Sequence, residues 1–162
     1  MNFSDMKPAQ GALLISEPFL RDFYFRRSVI LLAEHNESGS FGLILNKPID
    51  IKINEIVKDF PSFDANLFIG GPVGTDSLFV LHTLGNKISK SSKISQGLYW
   101  GGDIQMIREM IAAKAISPGE IRFYIGYSGW GAKQLDKELD QKSWLVTKAK
   151  AGVMLEDPAE NL

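Results

Sequence analysis

The stretch Arg122-Phe-Tyr-Ile-Gly126-Tyr-Ser-Gly129-Trp-Gly131 runs directly into Ala132-Lys-Gln-Leu-Asp-Lys-Glu-Leu139. Branched and aromatic residues, then closely spaced glycines, then Leu135 and Leu139 at helical spacing predict a buried strand over 121–125 that turns sharply into a helix over about 131–140. Glycines permit backbone conformations and close approaches that a side chain blocks, and a helix start leaves its first amides without intrahelical partners. A site is therefore expected at this turn.

Downstream, Ser143-Trp-Leu-Val-Thr147 has the composition of a last strand. Upstream, Leu98-Tyr-Trp-Gly-Gly102 reads as a strand ending in paired glycines, and Asp103 is placed to cap a helix that carries Ile104, Ile107 and Ile111 on one face. Residues 85–96, with three lysines, four serines and two isoleucines, read as a solvated loop or edge. Leu78-Phe-Val-Leu-His82 and Leu67-Phe-Ile-Gly70-Gly71-Pro72 read as strands, the second with an irregular glycine end. Ile53, Ile56, Val57 and Phe60 follow helical spacing until Pro61 forbids continuation. Residues 25–33 and 41–45 predict an antiparallel hairpin closed by Asn46-Lys47-Pro48, and in the first of these strands Arg26 and Arg27 should point to opposite faces. Gly11-Ala-Leu-Leu-Ile-Ser16 completes the set as a strand buried on both faces. Strands outnumber helices and are joined by short turns, which predicts an α+β fold with a curved, largely antiparallel sheet and about three helices.

A chain of 162 residues that is 44% hydrophobic suits one domain spanning 1–162, with flexible ends over about 1–9 and 148–162. The absence of cysteine excludes disulfides, thiolate metal sites and cysteine nucleophiles, and makes a reducing cytoplasm the default compartment. The polar start lacks the apolar segment of a signal peptide, and no apolar run approaches the roughly 20 residues that span a bilayer, so no membrane partner is expected. A net charge of −1 argues against a surface that tracks a polyanion.

Taken in order, Gly11–Ser16, Ser28–Leu32 with Glu34-His35, Gly42-Leu-Ile-Leu-Asn46-Lys-Pro48, Gly70-Gly-Pro72, Val80-Leu-His82 and Gly126-Tyr-Ser-Gly-Trp130 with Gln134–Glu138 resemble the YqgE/AlgH family. The resemblance covers residues 11–147. It implies a bacterial cytoplasmic protein whose sheet is bent into a barrel-like shape with helices packed outside, and it implies no accepted reaction and no standard DNA-binding motif. Some members carry the label of transcriptional regulator. Family members often continue past the last strand into a further helix, whereas this chain stops at Asn161-Leu162.

Ser128 invites comparison with the nucleophile elbow, but that motif is Gly-x-Ser-x-Gly and here the second glycine is misplaced at Gly129. A turn serine bonded to backbone is the favoured reading, and no catalytic residue is assigned. Two histidines far apart, without a His-Glu-x-x-His motif or clustered carboxylates, make a poor metal site, so no metal or cofactor is expected. His35 is expected to be solvated at a hairpin turn and His82 to be a hydrogen-bonded, partly buried strand residue. The glycines before Lys133 match no phosphate-loop pattern. Tyr127 and Trp130 suit the plugged end of a core better than a binding platform.

The resulting expectation is a monomeric, non-catalytic binding or regulatory protein. Its site for a small molecule or protein partner is expected among Asn46, Lys47, Pro48, Gly70, Gly71, Pro72, His82, Gly126, Tyr127, Ser128, Gly129, Trp130, Gln134 and Glu138. A hydrolase using Ser128 or a histidine is the first alternative. It requires Ser128 Oγ within hydrogen-bond reach of His35 or His82, with that histidine held by an acid. Nucleic-acid binding, suggested by the regulator label and the lysines over 87–93, is the second, and the charge balance disfavours it.

Overall fold

The computed structural model describes residues 7–17 and 27–148. In chain order the elements are β1 (Leu13–Ser16), β2 (Val29–Asn36), β3 (Gly39–Ile44), β4 (Pro48–Lys52), α1 (Ile53–Ile56), β5 (Asn66–Ile69), β6 (Val73–His82), β7 (Ser91–Ser95), β8 (Leu98–Gly101), α2 (Ile104–Ala112), β9 (Ile121–Gly131), α3 (Gln134–Asp140) and β10 (Trp144–Thr147). The fold is α+β. Ten strands form one sheet in the order β10-β1-β2-β3-β9-β6-β8-β7, with β5 pairing β4 and β9 beside this path. Every pairing is antiparallel except β5 with β9, where Phe68 faces Tyr124 and Ile69 faces Ile125 in parallel register.

The sheet bends strongly but its backbone ladder does not close. The gap between the edge strand β7 and β2 is spanned by Gln10, whose Nε2 donates to Ala33 O at 2.8 Å and to Lys93 O at 3.3 Å. Leu13, Leu31, Leu43, Leu81, Ile94, Leu98 and Tyr124 fill the inside of the bend. Phe41 lies between Trp100 (4.9 Å) and Tyr127 (4.8 Å), with Phe79 tilted against it at 5.4 Å. Because β3 and β8 are not sheet neighbours, this stack reaches across the bend.

Two further clusters cover the outside. Ile53, Phe60, Leu67, Ile107, Ile111 and Phe123 pack beneath α1 and α2, and Leu14, Ile30, Leu32, Ile44, Trp130, Leu135 and Trp144 pack beneath α3. This explains the unbroken apolar run of β2: Leu31 serves the inner cluster while Ile30 and Leu32 serve the outer one, so both faces of the strand are buried. Asp103 caps α2 as its sequence suggests, its carboxylate accepting from the amides of Gln105 and Met106.

Several local expectations are corrected. Residues 91–95, read as loop, form β7, because Ile94 is buried against the inner core while the polar residues around it face outward. Asn46-Lys47-Pro48 does not merely close a hairpin, since Pro48 opens β4. The helix expected up to Phe60 stops at Ile56, which is 50% exposed, although Ile53 and Phe60 are buried as expected. Arg27 has φ of 53° in a turn before β2, so strand alternation does not govern it, and Arg26 lies outside the described residues. Most of the two ends expected to be flexible also lies outside them.

The largest correction concerns the deciding stretch. Ile121–Gly131 is one continuous strand, and the chain turns only at Lys133, whose φ is 61°. The glycines permit a change of partner rather than a turn. One edge of β9 pairs with β5 at residues 124–125 and with β3 at residues 128–131. At the change, the Gly70-Gly71 segment between β5 and β6 presses against Gly126-Tyr127-Ser128. Gly126 has φ of +74°, and a Cβ there would overlap Gly71 O; a Cβ on Gly71 would overlap the Tyr127 carbonyl.

Candidate functional site

The structure brings part of the expected site together as scaffold. Gly70 N donates to Ile125 O at 2.8 Å, and Gly70 O accepts from Ile44 N (2.9 Å) and from Ser128 Oγ (3.1 Å). Ser128 is fully buried within β9. It is bonded to backbone as expected, but it is a core strand residue rather than a surface turn serine. Lys47 joins this crossing through its carbonyl, which accepts from Ile69 N at 2.9 Å. Asn46 instead holds the entry to β2: its Oδ1 accepts from Val29 N at 2.9 Å and its Nδ2 donates to Arg27 O at 2.9 Å. Gly129 has no left-handed φ, and a Cβ at this position would lie 3.2 Å from the Tyr127 ring.

His82 sits at the far end of β6 from Gly71-Pro72, fully buried and stacked on Tyr99 with ring centroids 5.8 Å apart. Ser91 Oγ donates to Ile88 O at 2.8 Å, so it accepts from His82 Nε2 at 2.8 Å, while His82 Nδ1 accepts from Leu84 N at 3.2 Å. These bonds assign a neutral ring protonated on Nε2. Burial holds its pKa below the ordinary 6.5, against a smaller opposing effect from a backbone hydrogen bond at Gly101. Ser128 is bonded to neither histidine. Among the described residues no carboxylate is hydrogen bonded to His35 or His82.

Trp130 is buried, with 5% exposure, as its sequence position suggests. Its indole Nε1 donates to Glu138 Oε1 at 3.0 Å, and Trp144 Nε1 donates to the same oxygen at 2.9 Å. Gln134 Nε2 donates to Glu138 Oε2 at 3.1 Å, and Gln134 Oε1 accepts from Gly131 N at 2.9 Å. Glu138 and Gln134 thereby fasten α3 to β9 and β10.

The open space lies beside this fastening. A cleft of about 700 Å³ separates the tip of the β2–β3 hairpin from the start of α3. His35, Asn36, Glu37, Gly39 and Ser40 form the hairpin wall, and Gly131, Lys133, Leu135 and Asp136 form the other. His35 Nδ1 lies 2.6 Å from Ser40 Oγ. Leu135 is a buried apolar wall residue, while Glu37, Lys133 and Asp136 are exposed and make no ion pair among the described residues. None of the fourteen candidate residues lines this cleft; Gln134 and Glu138 belong to α3 beside it. The available signal was the polar run Glu34–Ser40, a hairpin tip whose chemistry depends on what the fold places across from it. Among the described residues, no group of three or more His, Asp or Glu side chains is placed to hold a metal ion, and no helix is long and apolar enough to cross a membrane.

Comparison with known proteins agrees with the topology. A UPF0301 protein of Bacteroides fragilis is 46% identical over 146 residues, covering 90% of this chain and 74% of its own length. A UPF0301 protein of Chlorobaculum tepidum is 40% identical over 160 residues, covering 99% and 84%. The solution structure of the AlgH protein from Pseudomonas aeruginosa superposes with a TM-score of 0.76 at 30% identity, covering 94% of this chain and 86% of that one. A Corynebacterium diphtheriae crystal structure shares the fold with a TM-score of 0.79 at 24% identity, covering 94% and 82%. The AlgH-like family profile matches residues 13–162, and the chain belongs to that family.

Proposed function

We propose that this protein is a non-catalytic binding protein of regulatory type, acting as a cytoplasmic monomer, whose ligand site is the cleft between the β2–β3 hairpin and α3. The observation that carries the reading is the cleft itself: about 700 Å³, within the range of small-molecule sites, with charged groups of both signs that make no ion pair among the described residues. The burial of Ser128 supports it, since a nucleophile must be reachable. The glycine crossing expected to form the site acts in this reading as the rigid base that fixes β3 and β9 beneath the cleft. Nucleic acid is disfavoured by a net charge of −1.

The test is a titration of ¹⁵N-labelled protein with pooled small metabolites, followed by amide shifts. Perturbations clustered on Gly39, Ser40, Gly131 and Lys133 are expected, and shifts confined to other surfaces overturn the reading. One contact favours a second reading. The 2.6 Å approach of His35 Nδ1 to Ser40 Oγ is the geometry of an activated hydroxyl, although no acid orients the imidazole among the described residues. Labelling of Ser40 by a fluorophosphonate probe, lost in His35→Ala, would favour a hydrolase.

A further inference from the structure

The charges around the cleft differ in sign from place to place. Glu37 stands on the hairpin wall, and Lys133 and Asp136 stand on the α3 wall three positions apart. Lys133 adopts φ of 61° in the turn between β9 and α3, a conformation uncommon for a residue with a side chain. None of the three makes an ion pair among the described residues, so all three charges face the open space of the cleft and its surroundings. The Gly131 amide is already engaged by Gln134 Oε1, and Asn36 Oδ1 by Ser38 N.

We infer that the cleft takes a short zwitterionic peptide, its carboxylate held by Lys133 and its ammonium held by Glu37 and Asp136. This rests on the reading of the cleft as a ligand site and names the chemical class. A simple anion would meet two carboxylates for one lysine, and a simple cation would meet the lysine; a molecule with separated charges of both signs satisfies all three. Three extended residues span at most about 10 Å and fit readily in a space of about 700 Å³. His35 Nε2 and Asn36 Nδ2, the atoms not used in the bonds to Ser40 and Ser38, line the same wall as Glu37, where they can pair with peptide carbonyls, and Leu135 offers an apolar surface.

The experiment uses three probes of the same length: triglycine, N-acetyl-triglycine and triglycine amide. Each is titrated into the ¹⁵N-labelled full chain. Triglycine is expected to shift the cleft amides and to bind at least tenfold more tightly than either capped form. Lys133→Gln should weaken triglycine while leaving the amide unchanged, and Glu37→Gln with Asp136→Asn should weaken triglycine while leaving the acetylated form unchanged. All three substitutions are at exposed positions, and unchanged thermal melting checks the fold. Equal binding of the three probes, or substitutions without these selective effects, overturns the inference. Failure of all three probes also overturns it. In that case the cleft reading survives if the metabolite pools still shift the cleft amides, and falls with the inference if they do not.

Discussion

Replacing Gly126 with alanine tests the partner change in β9 directly, and Gly129→Ala is its control. At Gly126 an added Cβ meets two costs. The φ of +74° is strained for an L residue by about 1–2 kcal/mol. The Cβ would also overlap Gly71 O and lie 3.1 Å from Val73 O, both backbone atoms of the β5–β6 crossing that cannot swing aside, an overpacking of about 1–3 kcal/mol. Lower entropy of the unfolded alanine chain returns about 0.4–1 kcal/mol. The expected net loss is about 1–4.5 kcal/mol. At Gly129 the backbone is unstrained and the nearest atom, Tyr127 Cε2 at 3.2 Å, belongs to a half-buried ring that can yield, so the expected change is under about 1 kcal/mol. Urea unfolding followed by tryptophan fluorescence measures both, with unchanged slope as evidence that the unfolded state is the same. A Gly126→Ala loss below about 1 kcal/mol, or a Gly129→Ala loss exceeding it, refutes the account of why glycines stand in this strand.

Glu138→Ala removes the carboxylate shared by the Trp130 and Trp144 indoles and by Gln134; it should cost about 1–3 kcal/mol and alter the near-ultraviolet circular dichroism, whereas a loss below about 0.5 would show that α3 is held by packing alone. Leu135→Ala should cost about 2–5 kcal/mol at a 2% exposed position, while Lys137→Ala, on the exposed face of α3, should change the unfolding midpoint little; equal effects would mean that the helix presents another face. Because burial lowers the pKa of His82 in the folded state, the unfolded chain binds its proton more readily, so this stabilisation is full above about pH 6.5 and is lost as pH falls through the lowered folded value. Urea midpoints measured from pH 7.5 to 5 should show that decline in the wild type and a shallower one in His82→Gln; identical slopes refute it.

The elements with a strong apolar pattern were legible in the sequence. Val29–Ala33 and Leu43–Leu45 read as strands because burial on both faces left no polar interruption, and α2 read as a helix because Asp103 and the isoleucine spacing agree. Ile121–Gly131 misled for a physical reason. Local reasoning takes glycine-rich sequence as the end of a strand, whereas here the strand continues through Gly131 and the glycines admit a second segment of chain, Gly70-Gly71, that lies far away in sequence. β7 was hidden because an edge strand with one buried residue, Ile94, carries little periodicity. The cleft was not legible: none of the candidate residues lines it, because its two walls are brought together only by β3 pairing with β9, and a pairing of that range leaves no local signature.

The pairing of β1 with β10 sets a timetable. Leu13 lies opposite Thr147, so the first described strand obtains one of its two neighbours only when residues 144–147 have been made. Loop closure over such a span is entropically expensive and slow, and a sheet of distant pairings belongs to the slow-folding class. During translation Leu13, Leu14 and Ile15 can pair with β2 but must wait with their other backbone edge open, a template for wrong partners. The native sheet is therefore completed only after β10 has been made, and until then the open edge of β1 exposes the nascent chain to mispairing.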